Sequence, residues 1–417
     1  MRATLLRTNR NYRMLFSASS VSNLGDGISM VALPWLATLL THDPLLISAV
    51  ATAQRLPWLL FALPAGVWTD RVDRRLLMLR ADLVRMGLML CTVGMVFSMT
   101  ALPVPEGGGA GAILSLVLIA FLFGSAEVIR DNAAQTVLPS IVAPGDLEQA
   151  NGQMWSAEQV TGQFVGPPLA GVLIAYSVAL PFGVDASVYA LSAALIWMIA
   201  LPPKKAQAGG RFRAALLEGM GWMRRNPAIL RLAVMLGAIN AVFVGGMTIL
   251  VLYAQEILGL SAAGYGLLLT VGATGGVLGG LASPWIARRI GMRASLIAAL
   301  GVFALVHALL ALSGSVILAG LALFLEAAAG MLWNVVTVSY RQRLIPDALL
   351  GRVNSVYRFF GWGAMPFGAL GAGALVAGLE PTIGREAALH APYAVGALAC
   401  LGLLGYGLGR LRFGPVP

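Results

Sequence analysis

Twelve times along its 417 residues the chain runs through a stretch of predominantly apolar residues long enough to cross a bilayer. A transmembrane helix needs roughly 20 such residues. The stretches are 14–40, 45–68, 76–102, 112–134, 150–178 and 181–201, then 228–257, 263–286, 294–313, 315–338, 353–379 and 391–409. Hydrocarbon offers no hydrogen bonds, so each segment must satisfy its own backbone, and runs of this length do so as α-helices. The reading is an all-α membrane protein of twelve transmembrane helices. Charged residues make up 11% of the chain, against about 25% in soluble proteins, which excludes an ordinary soluble enzyme. The first stretch exceeds the 7–15-residue core of a cleaved signal peptide and carries Asp26 near its middle, so it is read as a span.

The net charge of +10 is spread over short loops, with no nucleic-acid-binding module, so nucleic acid is excluded as a partner. Twenty-three of the 28 basic residues fall on one side of the predicted spans, and one, Arg385, on the other. Positive loops stay in the cytoplasm, which places both termini there. Cys91 and Cys400 lie in apolar runs, and His42, His307 and His390 lie in separate elements. Neither a disulfide framework nor a metal or cofactor site is expected.

The longest basic connection divides the spans six and six. The expected units are residues 1–201, a linker at 202–227 and residues 228–417. Within the linker, Phe212, Leu216, Met220 and Met223 recur at helical spacing between arginines. This predicts a short amphipathic helix on the inner leaflet, with an irregular basic tether as the alternative. The two halves echo each other. Leu138-Pro139 and Asn151 flank the entry to span 5 as Leu344-Ile345-Pro346 and Asn354 flank span 11. Weak internal symmetry of this kind is expected of secondary transporters.

Two motifs carry a family resemblance. Gly66-Val-Trp-Thr-Asp70-Arg71-Val-Asp73-Arg74-Arg75 follows span 2. It resembles the G-x-x-x-D-R-x-G-R-R loop of the major facilitator superfamily, with Asp73 where glycine is usual. Gly162-Gln-Phe-Val-Gly166-Pro167-Pro-Leu-Ala170-Gly171 in span 5 is similar to that family's antiporter motif. Small residues four apart allow close helix contact, and proline bends a helix by removing a backbone hydrogen bond. Ile345-Pro-Asp-Ala-Leu-Leu-Gly-Arg352-Val-Asn354 looks like the branch holding macrolide efflux pumps and the enterobactin exporter. The resemblance covers essentially the whole chain and implies two pseudo-symmetric six-helix halves, usually in a monomer. It further implies a cytoplasmic gate in which Arg74 pairs with Asp131 or Glu127, and exchange of substrate for protons. The mid-helix arginine motif of drug antiporters is missing from span 4, where Arg130 lies near the cytoplasmic end.

A central aspartate costs about 2.5–3.5 kcal/mol on insertion scales, so each embedded charge needs a reason. The family fold lines its cavity with spans 1, 4, 7 and 10, whose polar members include Asp26, Glu127, Asn240 and Glu326. A carboxyl group in a poorly hydrated site keeps its proton more readily. Asp26 is therefore the first candidate for proton coupling, then Glu326, then Glu127. Arg55 either binds an anionic substrate or pairs with an acid, and Trp333 with Asn334 is a candidate part of the cavity lining. Asp82 and Arg85, three apart, are read as an intrahelical pair. Asp185 and Glu256, near outer ends, are read as reaching headgroups or water. His307, on a span that the family fold turns outward, is read as packing.

The functional expectation is a proton antiporter moving an amphiphilic organic compound or drug out of the cytoplasm, with antibiotic resistance as the phenotype. The alternative is a dedicated exporter of one metabolite, such as a siderophore or natural product, or a lysolipid transporter. No nucleophile elbow or phosphate loop appears, so an enzyme is not expected.

Overall fold

The computed structural model describes residues 5–105, 109–200, 212–411 and 413, with the side chains of 62–71, 144, 212–216, 347 and 348 outside the described set. Eight of its helices are long and apolar enough to cross a membrane. They include span 2 (Pro44–Arg71), span 4 (Ala110–Ile141), span 6 (Leu180–Trp197), span 10 (Val316–Leu344) and span 12 (Arg385–Arg410). Span 7 (Pro227–Leu252) continues into a π-helical turn, Tyr253–Ile257. Span 11 joins Asp347–Gly363 to Met365–Ile383.

One further helix, Ala262–Leu312, is two spans in one run. Gly291, at φ 81° and ψ 166°, turns the chain between 262–290 and 292–312, spans 8 and 9. That conformation is open to glycine and strained for other residues. Span 1 (Arg10–Leu40) and span 3 (Arg74–Phe97) are of spanning length but more polar. Span 5 is built in pieces: Leu147–Glu158, a π-helix Gln159–Val165, then Gly166–Tyr176. Among the described residues the membrane helices thus number twelve. Several outrun their apolar stretches, span 4 by seven residues to Ile141, because helical hydrogen bonding continues past the hydrocarbon boundary.

Arginines tie neighbouring helix ends together. At the head of span 3, Arg74 donates to the Thr136 carbonyl near the end of span 4 at 2.6 Å, and Arg75 to Ile199 just past span 6 at 3.1 Å. Arg293 and Arg231, at the heads of spans 9 and 7, donate to Leu408 and Arg410 at the end of span 12. Cations suit helix C-termini, where carbonyls lack partners. At the opposite end Arg385 grips Glu256 through two bonds, 2.8 and 2.9 Å, and Glu380 at 2.9 Å. Glu256, expected to reach headgroups or water, is thus also an ion-pair partner of span 12, with 31% of its side chain exposed.

Asp73 caps span 3, its carboxylate accepting from the N–H groups of Arg75 (2.8 Å) and Leu76 (3.3 Å). This explains the departure from the family's glycine: an acid at the N-cap satisfies free amide donors.

The chain forms two compact units. One holds Met1–His42, Ala53–Gly209 and Ser261–Leu267; the other holds Asp43–Thr52, Gly210–Leu260 and Leu268–Pro417. In the first, spans 1 and 5 meet backbone to backbone: a side chain at Gly27 would overlap the Gly162 carbonyl, and a Cβ at Gly166 would lie 2.6 Å from Gly27 Cα. In the second, span 11 approaches span 7 as closely, with Gly368 against Ala241. Spans 5 and 11 share a further feature, a helix restarted next to proline, Pro167 and Pro366 respectively. The linker helix, Phe212–Arg225, packs on span 11, and its Met223 is buried in the second unit's core. That part of its apolar edge meets protein, not the leaflet surface. Leu114, Leu118, Leu281 and Ile317 remain exposed, as helix faces turned to lipid must be.

Candidate functional site

The first unit encloses a polar cluster contributed by four spans. Spans 1, 3 and 6 supply residues three or four apart and span 4 residues seven apart, spacings that place each set on one helix face: Ser19, Ser22, Asp26 and Ser29 from span 1, and Asp82 and Arg85 from span 3. Span 4 adds Phe123 and Arg130, and span 6 adds Asp185, Tyr189 and Ser192.

Arg85 sits at the centre, fully buried. Its Nη2 pairs with Asp26 Oδ1 and donates to the Tyr189 hydroxyl at 3.1 Å, while Nη1 donates to Ser22 at 3.0 Å and lies 3.6 Å from Asp82 Oδ1. The guanidinium stacks over the Tyr189 ring at 4.1 Å and the Phe123 ring at 4.7 Å. Arg85 is thus an interhelical partner of Asp26 as much as a neighbour of Asp82. Tyr189 completes the triangle, its hydroxyl donating to Asp26 Oδ1 at 3.1 Å.

Asp82 is buried between the two arginines, with Arg130 Nε 3.4 Å from Oδ1, and accepts from Ser192 at 2.6 Å. Arg130 also reaches Asp131, at 3.4 Å. Asp185, expected at headgroups or water, is instead completely buried, with Ser29 Oγ 2.5 Å from its Oδ2. Its Oδ1 has no hydrogen-bond partner among the described residues. Of the cluster's aspartates Asp26 alone reaches the surface, with 27% of its side chain exposed against none for Asp82 and Asp185. Solvent or a ligand therefore meets the cluster at Asp26.

A sequence profile for the family described as transmembrane secretion effector matches residues 5–404. The chain belongs to that family. It is a multi-pass membrane protein and a secondary transporter of the major facilitator superfamily, not an enzyme. It is similar to the multidrug efflux pump Tap of Mycolicibacterium fortuitum, 27% identical over 96% of this chain and 96% of that protein. It is also similar to the enterobactin exporter EntS of Shigella boydii serotype 4, 24% identical over 96% of this chain and 94% of that one. Among solved structures, a mutant of the nucleoside transporter NupG superimposes with a TM-score of 0.78 at 11% identity, covering 96% and 100% of the two chains. That likeness concerns the fold.

In this secretion effector the remaining candidate residues are dispersed. Glu127, half-buried on span 4, accepts a hydrogen bond from Trp58, and Arg55 is foremost among the cations acting on it. Asp131 is paired with Arg130, while Arg74 bonds to the Thr136 carbonyl. The side chains of Gly66, Asp70 and Arg71 lie outside the described residues. Gly162 within the π-helical turn and Gly166 at the start of the following α-helix meet span 1, Pro167 follows Gly166, and a Cβ at Gly171 would lie 2.7 Å from Ala263 Cα.

In the second unit, Glu326 is buried and faces His307 Nε2 at 3.7 Å. His307 is buried as well, its Nδ1 2.9 Å from the Phe303 carbonyl, so its position is polar as well as packed. Asn240 donates to the Gly361 carbonyl at 2.8 Å. Trp333 is 1% exposed in the hydrophobic core, whereas Asn334 beside it is exposed.

The sequence reading missed the roles of Arg85, Tyr189 and Asp185. The signal was present as polar stripes at helical spacing on spans 1 and 6, which weighing each charge singly does not reveal.

Proposed function

We propose that this secretion effector is a proton antiporter that exports an amphiphilic organic compound from the cytoplasm by alternating access. The observation that carries the reading is Asp26, a partly exposed carboxyl group held by buried Arg85 and adjacent to Gly27, which packs on Gly162 and Gly166. A proton arriving at Asp26 removes its attraction for Arg85 and so alters what holds span 1 to spans 3 and 6. A cationic or neutral lipophilic substrate would meet the same exposed group, so that proton and cation compete for it. The backbone contact at Gly27 links that event to the antiporter-like segment of span 5.

Glu326 is the second proton-coupling candidate and Glu127 the third, with Arg55, Asn240 and Asn334 as substrate contacts. Gly66, Asp70, Arg71, Arg74, Arg75 and Asp131 would form the cytoplasmic gate of a monomer in the bacterial inner membrane. The names of Tap and EntS support export, and they represent the two substrate readings, a broad drug range and a single metabolite.

The test is proton flux in inverted vesicles carrying wild type or Asp26→Asn, with a pH-sensitive dye quenched by respiration. Lipophilic cations, macrolides and anionic siderophores are added in turn. Recovery of fluorescence with wild type but not with the variant is the expected result. Equal recovery in both removes Asp26 from coupling, and silence of folded wild type across the panel counts against drug antiport. A response to one class of compound alone favours the dedicated exporter.

A further inference from the structure

The cluster around Arg85 does not balance if every group is charged. Three carboxyls, Asp26, Asp82 and Asp185, face two guanidiniums, Arg85 and Arg130, which leaves one negative charge within the spans. Asp131 pairs with Arg130 from its own side, with 32% of its side chain exposed, and only adds to the negative total. A buried charge without compensation is far more costly than a buried neutral acid, so one of the three carries a proton.

The geometry selects which one. Asp82 lies within 3.6 Å of Arg85 and 3.4 Å of Arg130, and accepts from Ser192. Asp26 pairs with Arg85, accepts from Tyr189 and is partly exposed. Asp185 has no ion pair among the described residues, and Ser29 is its one hydrogen-bond partner. Ser29 has a second contact: its Oγ lies 3.9 Å from Met89 Sδ. With Asp185 ionised, Ser29 must donate to it, and Oδ1 is an anionic oxygen buried without any donor. With a proton on Oδ2, Asp185 donates to Ser29 Oγ, Ser29 donates to the Met89 sulfur, and Oδ1 is a neutral carbonyl. The second arrangement gives each hydroxyl an acceptor and leaves no charge unpaired.

We infer that Asp185 is the resting seat of a proton which Asp26 carries at the other stage of transport, the two acids sharing one proton across Arg85. The exchange balances: an O–H bond breaks on Asp185, one forms on Asp26, and Arg85 passes from the Asp26 carboxylate to that of Asp185. Proton count and net charge are unchanged. Arg85 on span 3 is the charged group that acts on Asp185, and the charged groups around Tyr189, one turn along the same span, include Arg85 and Asp82 on span 3, Asp185 itself and Glu127 on span 4. The packed segment of span 5, Gly166–Tyr176, adds none but exposed Tyr176.

The inference rests on the reading of Asp26 as the coupling acid, but infrared spectroscopy of the purified full chain at pH 8 tests it without transport. A protonated carboxyl gives a C=O stretching band distinct from carboxylate. Subtracting Asp185→Asn from wild type should leave one such band, and Ser29→Ala should shift it by removing the hydroxyl partner. In Asp26→Asn the remaining charges balance with Asp185 ionised, so the band should vanish. Absence of the band from the first difference overturns the assignment. Its persistence in Asp26→Asn overturns the sharing. If Asp185→Asn does not fold, the Ser29→Ala shift and the Asp26→Asn loss decide alone. Failure of the vesicle assay would leave these spectra unaffected, so the two readings fail separately.

Discussion

Removing the Arg85 guanidinium would strip the counter-charge from Asp26 and half of it from Asp82, and would leave Tyr189 and Ser22 without a donor they now share. Breaking a buried pair by deleting one partner costs about 3–5 kcal/mol. Arg85→Ala is therefore expected to lower the thermal unfolding temperature in detergent sharply. Arg85→Lys, which keeps the charge but loses the planar fork and much of the stacking on Tyr189 and Phe123, should recover part of that loss. Equal behaviour of the two variants would mean that charge plays no part in holding these spans. Asp26 shows why its partner was not legible in sequence. Its value as a costly embedded acid is a property of one residue, but the partner stands 59 positions away on another helix. The nearer pairing of Asp82 with Arg85 is the one that one-dimensional spacing suggests.

At the scale of elements the critical contact is between spans 1 and 5. The ideal Cβ of residue 166 would lie 2.6 Å from the Gly27 backbone, which cannot rotate aside as a side chain could. Overpacking of this kind costs typically about 1–3 kcal/mol. Gly166→Val is expected to destabilise the protein and to reduce efflux by prising span 1 from the π-helical break. Gly183→Ala, where a Cβ meets nothing within 4 Å, should leave both unchanged. Normal efflux and stability in Gly166→Val would show that the close approach is dispensable. The twelve spans were legible because hydrocarbon demands long apolar runs, and the Gly162–Pro167 break because glycine and proline act locally. That Gly27 is the surface on which this break rests was not legible, since helix pairing is decided by facing surfaces far apart in the chain. The same limit explains Asp185: its position along span 6 was readable, but the direction in which it points was not.

At the scale of the whole molecule, direction of transport depends on which face of the membrane the arginines occupy. The ends bearing Arg74, Arg75, Arg231 and Arg293 hold helix C-termini through carbonyl bonds, so these residues have a structural task besides orientation. In the second unit the end opposite Arg231 and Arg293 is tied by Arg385 with two glutamates, a group of net charge −1. The proposed topology follows from this asymmetry, which would retain the arginine-rich end in the cytoplasm. Single cysteines placed at exposed Arg225 and exposed Glu386, with Cys91 and Cys400 replaced by alanine, report each face. In intact cells a membrane-impermeant maleimide should label Glu386→Cys at once and Arg225→Cys only after permeabilisation. The reverse pattern would place the arginine-rich end outside and remove the basis for the proposed export direction, whatever Asp26 and Asp185 do with their proton. Labelling of both sites in intact cells would indicate a mixed topology. Restoring the expected pattern by adding arginines to the linker at 202–227 would then identify charge, and not helix packing, as the determinant of orientation.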